Sequence, residues 1–293
     1  MFDNILIIGC GLIGSSILKS SIKNKISKNI YVFEKKKENI KIIRKANKRI
    51  KFISSLNEDL GKMHFIIVCV PMSEYNFVFS RLDKFVSEKS IITEVGSTKR
   101  NLLKFTKNKK LVLSHPIAGS EVSGPKFGSP ELFNKKWCIL INNGIKSKIK
   151  LVKKFWNKLG SKVILMNAKE HDKIFAITSH LPHLIAYNLI KTAQDFQKIE
   201  KRNLIKYSAG GLRDFSRTAA SNEIMWRDIF FSNKDNMINS INKFIQNLNL
   251  IKKNIRDKKD RELKKILMNS KKVRKQIIKS KQDVSKPDFG REI

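Results

Sequence analysis

A strand and a glycine turn open this chain: Ile5-Leu6-Ile7-Ile8-Gly9-Cys10-Gly11-Leu12-Ile13-Gly14. The apolar run predicts a buried strand, and the next helical pattern begins at Ser15. The glycines have G-x-G-x-x-G spacing, in which the first permits a tight turn, the second lets the backbone approach a pyrophosphate and the third lets the helix pack on the strand. We therefore predict a dinucleotide-binding turn built from Gly9, Gly11, Leu12, Ile13 and Gly14.

The second predicted strand bears on which dinucleotide is bound. It runs through Ile30–Phe33 and ends at Glu34, where folds of this kind read the ribose hydroxyls. A carboxylate there favours NAD, because the 2′-phosphate of NADP would meet a like charge. Lys35–Lys37 come directly after it and leave NADP open. Val70 and Pro71 end a further strand at the carboxyl edge of the sheet, so we include both in the cofactor site.

Two polar residues come after later strands at the same edge. Ser97 comes after an apolar strand and a glycine, and its hydroxyl either caps the next helix or lies near the nicotinamide. His115 comes after the strand Leu111–Leu113, and Pro116 biases it toward an extended backbone, so its ring should project from the strand end. In the loop beyond, Glu121 is either a solvated carboxylate or a group that faces the ligand.

Composition limits the class of protein. The chain has 293 residues, 41% of them hydrophobic, which is enough for two domains. Its formal net charge of +36 is of the kind found in proteins that bind nucleic acid or a membrane surface. The lysines are spread over the whole chain, without an RNA-binding aromatic signature or zinc-finger spacing. We interpret the charge as compositional bias, expect no nucleic-acid partner, and note that a basic surface attracts anionic ligands.

Nothing in the sequence predicts secretion or a membrane location. No apolar segment approaches the roughly 20 residues of a membrane helix. The first apolar run has no basic region ahead of it and runs into a glycine turn, which is unlike a signal peptide. Cys10, Cys69 and Cys138 each lie in or beside an apolar run, and their spacing shows no pairing pattern. We expect a cytoplasmic protein with free thiols.

The pattern changes once along the chain. Strand and helix patterns alternate over residues 1–166, and only helical periodicity continues after that point. This predicts an α/β dinucleotide-binding domain of the Rossmann type over 1–166, an all-α domain over 167–280 and a flexible tail over 281–293. The last two helices are predicted over 221–250 and 251–280, and their apolar stripes suit a core or a dimer interface.

A long helix predicted over Ala168–Phe196 carries His171, His180 and His183. We expect no metal there, because at about 100° per residue His171 and His180 point to opposite sides of a helix. His180 and His183 share a face but are too few ligands for zinc. Pro182 should kink the helix beside them, and a kink without packing benefit indicates a functional region.

A glycine pair, Gly210-Gly211, interrupts the helices and precedes Arg213, Asp214 and Arg217. Arg217 is either an ordinary surface charge or a guanidinium placed for bidentate binding of a carboxylate.

Five groups of motifs, taken in chain order, resemble the prephenate dehydrogenase family, which includes arogenate-using relatives. They are Gly9-x-Gly11-Leu12-Ile13-Gly14, Val95-Gly96-Ser97-x-Lys99, His115-Pro116-Ile117-Ala118-Gly119-Ser120-Glu121, Ser179-His180-Leu181-Pro182-His183, and Gly210-Gly211-x-Arg213-Asp214-x-x-Arg217 with Met225-Trp226-Arg227-Asp228-Ile229. All of them together are far more specific than the glycine turn alone.

The resemblance implies oxidative decarboxylation of prephenate to 4-hydroxyphenylpyruvate with NAD or NADP, a step of tyrosine biosynthesis. It implies that His115 accepts the proton of the 4-hydroxyl, that Ser97 assists through a hydrogen bond and that Arg217 anchors a substrate carboxylate. The substrate site would be lined by His180, His183, Glu121, Arg213 and Asp214. It also implies a homodimer joined through the helical half.

Some questions stay open at this level. The choice between prephenate and arogenate is not decided, and no appended regulatory domain is recognisable, so feedback inhibition by tyrosine is in doubt. Three rival classes are a two-domain dehydrogenase acting on a β-hydroxyacid, a binding module that keeps the cofactor fold without catalysis, and a basic nucleic-acid binder.

Overall fold

The computed structural model describes residues 2–46, 49–107, 109–119, 122–201 and 203–280. Its first half is built on an eight-stranded sheet. The strands are β1 (Phe2–Ile8), β2 (Ser27–Phe33), β3 (Lys51–Phe52), β4 (Phe65–Val68), β5 (Ile91–Glu94), β6 (Leu111–Pro116), β7 (Trp137–Ile141) and β8 (Lys162–Met166). Their order in the sheet is β3-β2-β1-β4-β5-β6-β7-β8.

The first six strands run parallel in the order typical of a Rossmann sheet. Sequence patterns did not show that β7 runs antiparallel to β6, with β8 parallel to β7. The chain therefore reverses direction after β6, and His115 pairs with Ile139 at the turning edge.

Helices cover both faces of this sheet, namely α1 (Leu12–Lys23), α2 (Lys37–Ala46), α3 (Tyr75–Phe85) and α4 (Lys146–Lys158). Ile5 and Ile7 belong to one hydrophobic core and Leu6 and Ile8 to the other, because successive residues of a strand face opposite sides. All four side chains are fully buried, which accounts for the continuous apolar run in the sequence.

The second half is helical, as predicted, and the expected fold class is confirmed. Its α-helices are α5 (Ala168–Phe175), α6 (Leu181–Glu200), α7 (Gly210–Thr218), α8 (Glu223–Ser232), α9 (Lys234–Arg256) and α10 (Asp260–Lys279). In the part of the chain that the structure describes, no helix is long and apolar enough to cross a membrane. The three cysteines are free, as expected. The tail predicted over 281–293 lies outside the described residues.

Two helix boundaries differ from the sequence prediction. The helix predicted over 221–250 is wrong, because the chain breaks at Asn233, whose side chain bonds to the neighbouring helices instead of continuing an apolar stripe. No break occurs at residue 250. The turn lies later, at 257–259, where Lys258 adopts a left-handed backbone with φ 50°.

The long helix predicted from Ala168 is continuous but irregular. Between α5 and α6 the chain makes a π turn, Ala176–His180, directly before Pro182 in the first turn of α6. A π turn holds one extra residue, which rotates the residues after it by about 100° relative to a regular helix. The prediction that His171 and His180 point to opposite sides is therefore wrong, and Pro182 comes after a π turn instead of a simple kink.

Candidate active site

The glycine turn after β1 has the geometry that a bound pyrophosphate requires. Gly9 has φ +85°, and a Cβ on Gly14 would lie 2.1 Å from the Gly9 carbonyl oxygen, so helix and strand touch as the motif predicts. A Cβ on Gly11 would meet no atom within 4 Å. The N-terminus of α1 has no side-chain cap, so its first N–H groups face this open space.

Glu34 is held at the same turn by two backbone hydrogen bonds. Its Oε2 accepts from the N–H of Cys10 at 2.9 Å and its Oε1 from the N–H of Lys36 at 2.9 Å. Lys35, in contrast, pairs with Glu74 at 2.7 Å. Val70 packs against the Gly9 position, and Pro71 is exposed at the same edge. The residues therefore fit a dinucleotide whose ribose hydroxyls meet a fixed carboxylate.

Replacement of Glu34 by Ala should shift cofactor preference toward NADP. A hydrogen bond to a charged group contributes about 1.5–3 kcal/mol, so kcat/KM for NAD should fall roughly 10- to 100-fold. The value for NADP should rise, because Lys36 and Lys37 remain beside the turn and the carboxylate no longer repels the 2′-phosphate. Steady-state kinetics with both cofactors test this, with Glu38→Ala as the control; an unchanged NAD/NADP ratio would remove Glu34 from cofactor recognition.

His115 ends β6 and belongs to a short chain of hydrogen-bonded side chains. Its Nδ1 lies 2.8 Å from Nε2 of His171, and Nδ1 of His171 lies 2.8 Å from Oδ1 of Asp172. A carboxylate only accepts, so Nδ1 of His171 carries a proton and Nε2 of a neutral His171 accepts from Nδ1 of His115. This assignment leaves Nε2 of His115 with a free lone pair. In this arrangement Nε2 of His115 can accept a proton.

Asp172 also connects the helical half to the Ser97 loop, which comprises residues 95–99 between β5 and the next helical turn. Its carboxylate accepts from the backbone N–H of Lys99 at 2.7 Å and of Arg100 at 2.8 Å. These N–H groups lie at the start of a 3₁₀ helix, Arg100–Lys107. Because Asp172 takes them, the alternative that Ser97 serves as the cap of this helix loses its support.

Three further side chains pack beside this chain of groups. Asn233 Nδ2 lies 2.8 Å from the Asp172 carbonyl oxygen and 3.2 Å from His180 Nδ1, so one amide joins both histidine-bearing helices to α9. His180 is fully buried, and its ring interacts with the backbone of Ser97. His183 stacks on Trp226 with ring centroids 3.7 Å apart. His171, His180 and His183 therefore each contact another side chain of the protein.

Burial sets the protonation state of His115. Burial, together with the neighbouring His171, Lys99 and His180, holds the pKa of His115 well below the ordinary histidine value of 6.5. A base must be neutral to accept a proton, and a lowered pKa keeps the ring neutral until the pH falls below that pKa.

The pH profile of kcat/KM should therefore stay level as the pH falls to 6.5 and should decline only at lower pH. With NAD saturating, kcat/KM for prephenate reports the ionisations of the enzyme–NAD complex and of free prephenate. An acidic limb centred at or above 6.5 would contradict the buried, neutral state of His115.

The structure separates the predicted site residues into two groups. His180 interacts electrostatically with both His115 and His183, and its ring contacts the Ser97 backbone, so these residues lie together. Arg213, Asp214 and Arg217 are instead exposed on α7, which packs mainly against α6. Glu121 lies outside the described residues. The sequence interpretation missed His171, Asp172 and Asn233 as members of the site. Only the unexpected π turn reveals that His171 and His180 act on one side of the helix.

Comparison with known proteins extends this picture to the whole chain. The family model "Prephenate dehydrogenase, nucleotide-binding domain" matches residues 18–165, and "Prephenate dehydrogenase, dimerization domain" matches residues 167–269. A cyclohexadienyl dehydrogenase of Zymomonas mobilis is 30% identical over 254 residues, which cover 85% of this chain and 87% of the relative. A prephenate dehydrogenase of Bacillus subtilis is 28% identical over 86% of this chain and 70% of its own length.

Solved structures agree with the sequence comparison. Prephenate dehydrogenase from A. aeolicus in complex with hydroxyphenyl propionate and NAD+ matches with a TM-score of 0.88 and 33% identity, over 94% of this chain and 98% of that one. Synechocystis arogenate dehydrogenase shares the fold, with a TM-score of 0.76 at 20% identity, over 93% of this chain and 99% of that one. Because both halves of the chain match and a relative is 30% identical over most of its length, this chain belongs to the prephenate dehydrogenase family and is an NAD-dependent oxidoreductase.

Proposed function

We propose that this enzyme oxidises prephenate with loss of CO2, yielding 4-hydroxyphenylpyruvate, and that His115 is the catalytic base. The observation that carries the proposal is the hydrogen-bonded series His115–His171–Asp172, which leaves the Nε2 lone pair of His115 free at the carboxyl edge of the sheet. The glycine turn that fits NAD lies at this same edge. The family match favours this substrate class over a β-hydroxyacid.

The reaction requires a base, a site that orients the substrate and the exclusion of water. The ring carbon that bears the hydroxyl loses a hydride, for which bound NAD is the acceptor. His115 takes the hydroxyl proton as the carbonyl forms. Departure of CO2 then makes the ring aromatic and passes the bonding electrons to the carbonyl oxygen, to which His115 returns the proton. The protein otherwise mainly has to orient the substrate dianion and exclude water. Neither a nucleophile nor a metal is required for these steps.

The remaining site residues have supporting roles. Ser97 donates a hydrogen bond at the reacting hydroxyl, and Arg217 binds a substrate carboxylate. His180 supports the site from a buried position, through the contact of its ring with the Ser97 backbone. The family resemblance also implies that His183 and the exposed α7 residues Arg213 and Asp214 line the substrate site. Glu121, which the resemblance includes, lies outside the described residues.

We place the domain boundary at residue 166, where β8 ends, two residues before α5 begins.

The helical half provides the surface for a homodimer. Large apolar side chains on the helices are exposed in the single chain, including Phe196, Phe231, Ile245 and Leu267. The matched region is that of a dimerization domain, which supports a homodimer through these helices.

The free thiols support a cytoplasmic location.

An absorbance assay for reduced nicotinamide tests the function directly. Purified enzyme is given prephenate or arogenate with NAD or NADP, in all four combinations. We expect turnover with prephenate and NAD, and the ratio of rates with arogenate defines the substrate preference. Absence of turnover in every combination, with NAD binding intact, would favour a binding module without catalysis.

A further inference from the structure

A fully buried ion pair, Glu94–Lys99, contacts the backbone next to Ser97 and His115, the two proposed catalytic residues. Glu94 ends β5, and its Oε1 pairs with the Nζ of Lys99; both side chains have no exposed surface. Burying two charges is costly, and a well-packed apolar pair is often at least as stabilising. A role that apolar residues could not perform would account for the presence of this pair.

The Glu94 carboxylate binds the backbone on both sides of the site. Its Oε2 accepts from the N–H of Gly96 at 2.7 Å, one residue before Ser97. Its Oε1 accepts from the N–H of Ser114 at 3.1 Å, one residue before His115. A single side chain therefore links the two backbone segments that carry the proposed proton acceptor and its hydrogen-bonding helper.

Other contacts hold this carboxylate in place. Lys99 Nζ also donates to the Ser114 carbonyl oxygen at 2.6 Å, so the Lys99 ammonium bridges Glu94 and β6. The Tyr75 hydroxyl donates to Glu94 Oε2 at 3.1 Å from α3. A Cβ on Gly96 would lie 3.0 Å from both Glu94 Oε2 and the Tyr75 hydroxyl, so a larger residue there would push these two groups aside by a few tenths of an ångström.

We propose that Glu94, with Lys99 as its counter-ion, is a positioning residue that sets the separation of Ser97 and His115. It touches neither substrate nor cofactor, and it acts through the backbone of Gly96 and Ser114. Pre-organised spacing matters because a displacement of about 1 Å at a reacting centre can lower a rate by roughly 10²-fold. The proposal rests on the roles given above to Ser97 and His115.

The test compares kcat in Glu94→Gln, Lys99→Met and the double variant. Each single variant leaves one buried charge unpaired and should be destabilised. The double variant removes both charges and should regain stability, yet its kcat should stay roughly 10- to 100-fold low, with KM for NAD nearly unchanged, because the carboxylate link is gone. A double variant with normal kcat would show that the pair only neutralises itself and would overturn the proposal.

The effect of Ser97→Ala on kcat, measured with and without the Glu94–Lys99 pair, distinguishes a positioning role from a general loss of structure. Ser97→Ala should lower kcat about tenfold in the otherwise unaltered enzyme but less than about threefold in the double variant, because coupled residues give non-additive effects. Full additivity would contradict the proposal. Lys110→Met is the matched control, since Lys110 is a nearly buried lysine at the opposite end of β6, bound to the Val86 carbonyl oxygen, and should leave kcat unchanged.

A milder variant covers the case in which the charge variants do not fold. Tyr75→Phe removes one hydroxyl from a buried ring and should lower kcat by about two- to fivefold without changing KM, because the Glu94 carboxylate loses one of its contacts but keeps its backbone hydrogen bonds. Normal kcat in this variant would contradict the role of the carboxylate. Failure of the proposed function itself would look different, because the unaltered enzyme would then not turn over prephenate.

Discussion

His115→Asn should lower kcat by roughly 10²-fold or more while leaving the affinity for NAD nearly unchanged, because loss of a general base has this magnitude. Asn keeps a side chain that can still bond toward His171, but no atom in it accepts a proton near neutral pH. Steady-state kinetics with saturating NAD give kcat, and fluorescence titration gives the Kd for the cofactor.

His64→Asn is the matched control for this substitution. His64 precedes β4 at the opposite edge of the sheet, where its Nδ1 accepts from the N–H of Asn4 at 3.2 Å. It should therefore leave kcat unchanged. A near-normal kcat in His115→Asn would mean that His115 is only a histidine at a strand end, and the proposed mechanism would be wrong.

Arg217→Ala should raise KM for prephenate by roughly 10²-fold, because loss of two charge-assisted hydrogen bonds to a carboxylate removes about 3 kcal/mol of binding. The Kd for NAD should stay nearly unchanged, since the dinucleotide turn lies on the α/β half. The side chain is exposed on α7, so the fold should persist after the substitution.

Two arginine variants complete this experiment. Arg217→Lys keeps the charge but loses the bidentate fork, and it should recover only part of the affinity. Arg81→Ala removes an exposed arginine from α3 and should leave KM unchanged. An unaltered KM for prephenate in Arg217→Ala would remove Arg217 from the substrate site.

Most of the fold could be predicted from the sequence because short sequence patterns determine it. The apolar run Ile5–Ile8 is buried on both faces, and Gly9 and Gly14 have the positive φ and the close packing, respectively, that their spacing predicts. Glu34 reaches the same turn through two backbone hydrogen bonds. Such features depend on neighbours in the chain or on one strand pairing, so pattern and structure agree.

The buried part of the site could not be predicted in the same way because it depends on contacts between segments that are distant in the sequence. Asp172 binds the N–H groups of Lys99 and Arg100 across more than seventy residues. The π turn before Pro182 changes which histidines share a side, and regular helical geometry gave the wrong answer for His171 and His180. In the sequence Glu94 is only the end of a strand, whereas in the fold it joins the Ser97 and His115 segments.

We propose that the enzyme couples the oxidation of prephenate to its decarboxylation. The most direct measurement quantifies reduced NAD and released CO2 in the same reaction of the purified enzyme with prephenate. We expect equal amounts of both, formed at the same rate, with 4-hydroxyphenylpyruvate as the product. Reduced NAD without CO2, or no reduced NAD while the cofactor is bound, would contradict the account.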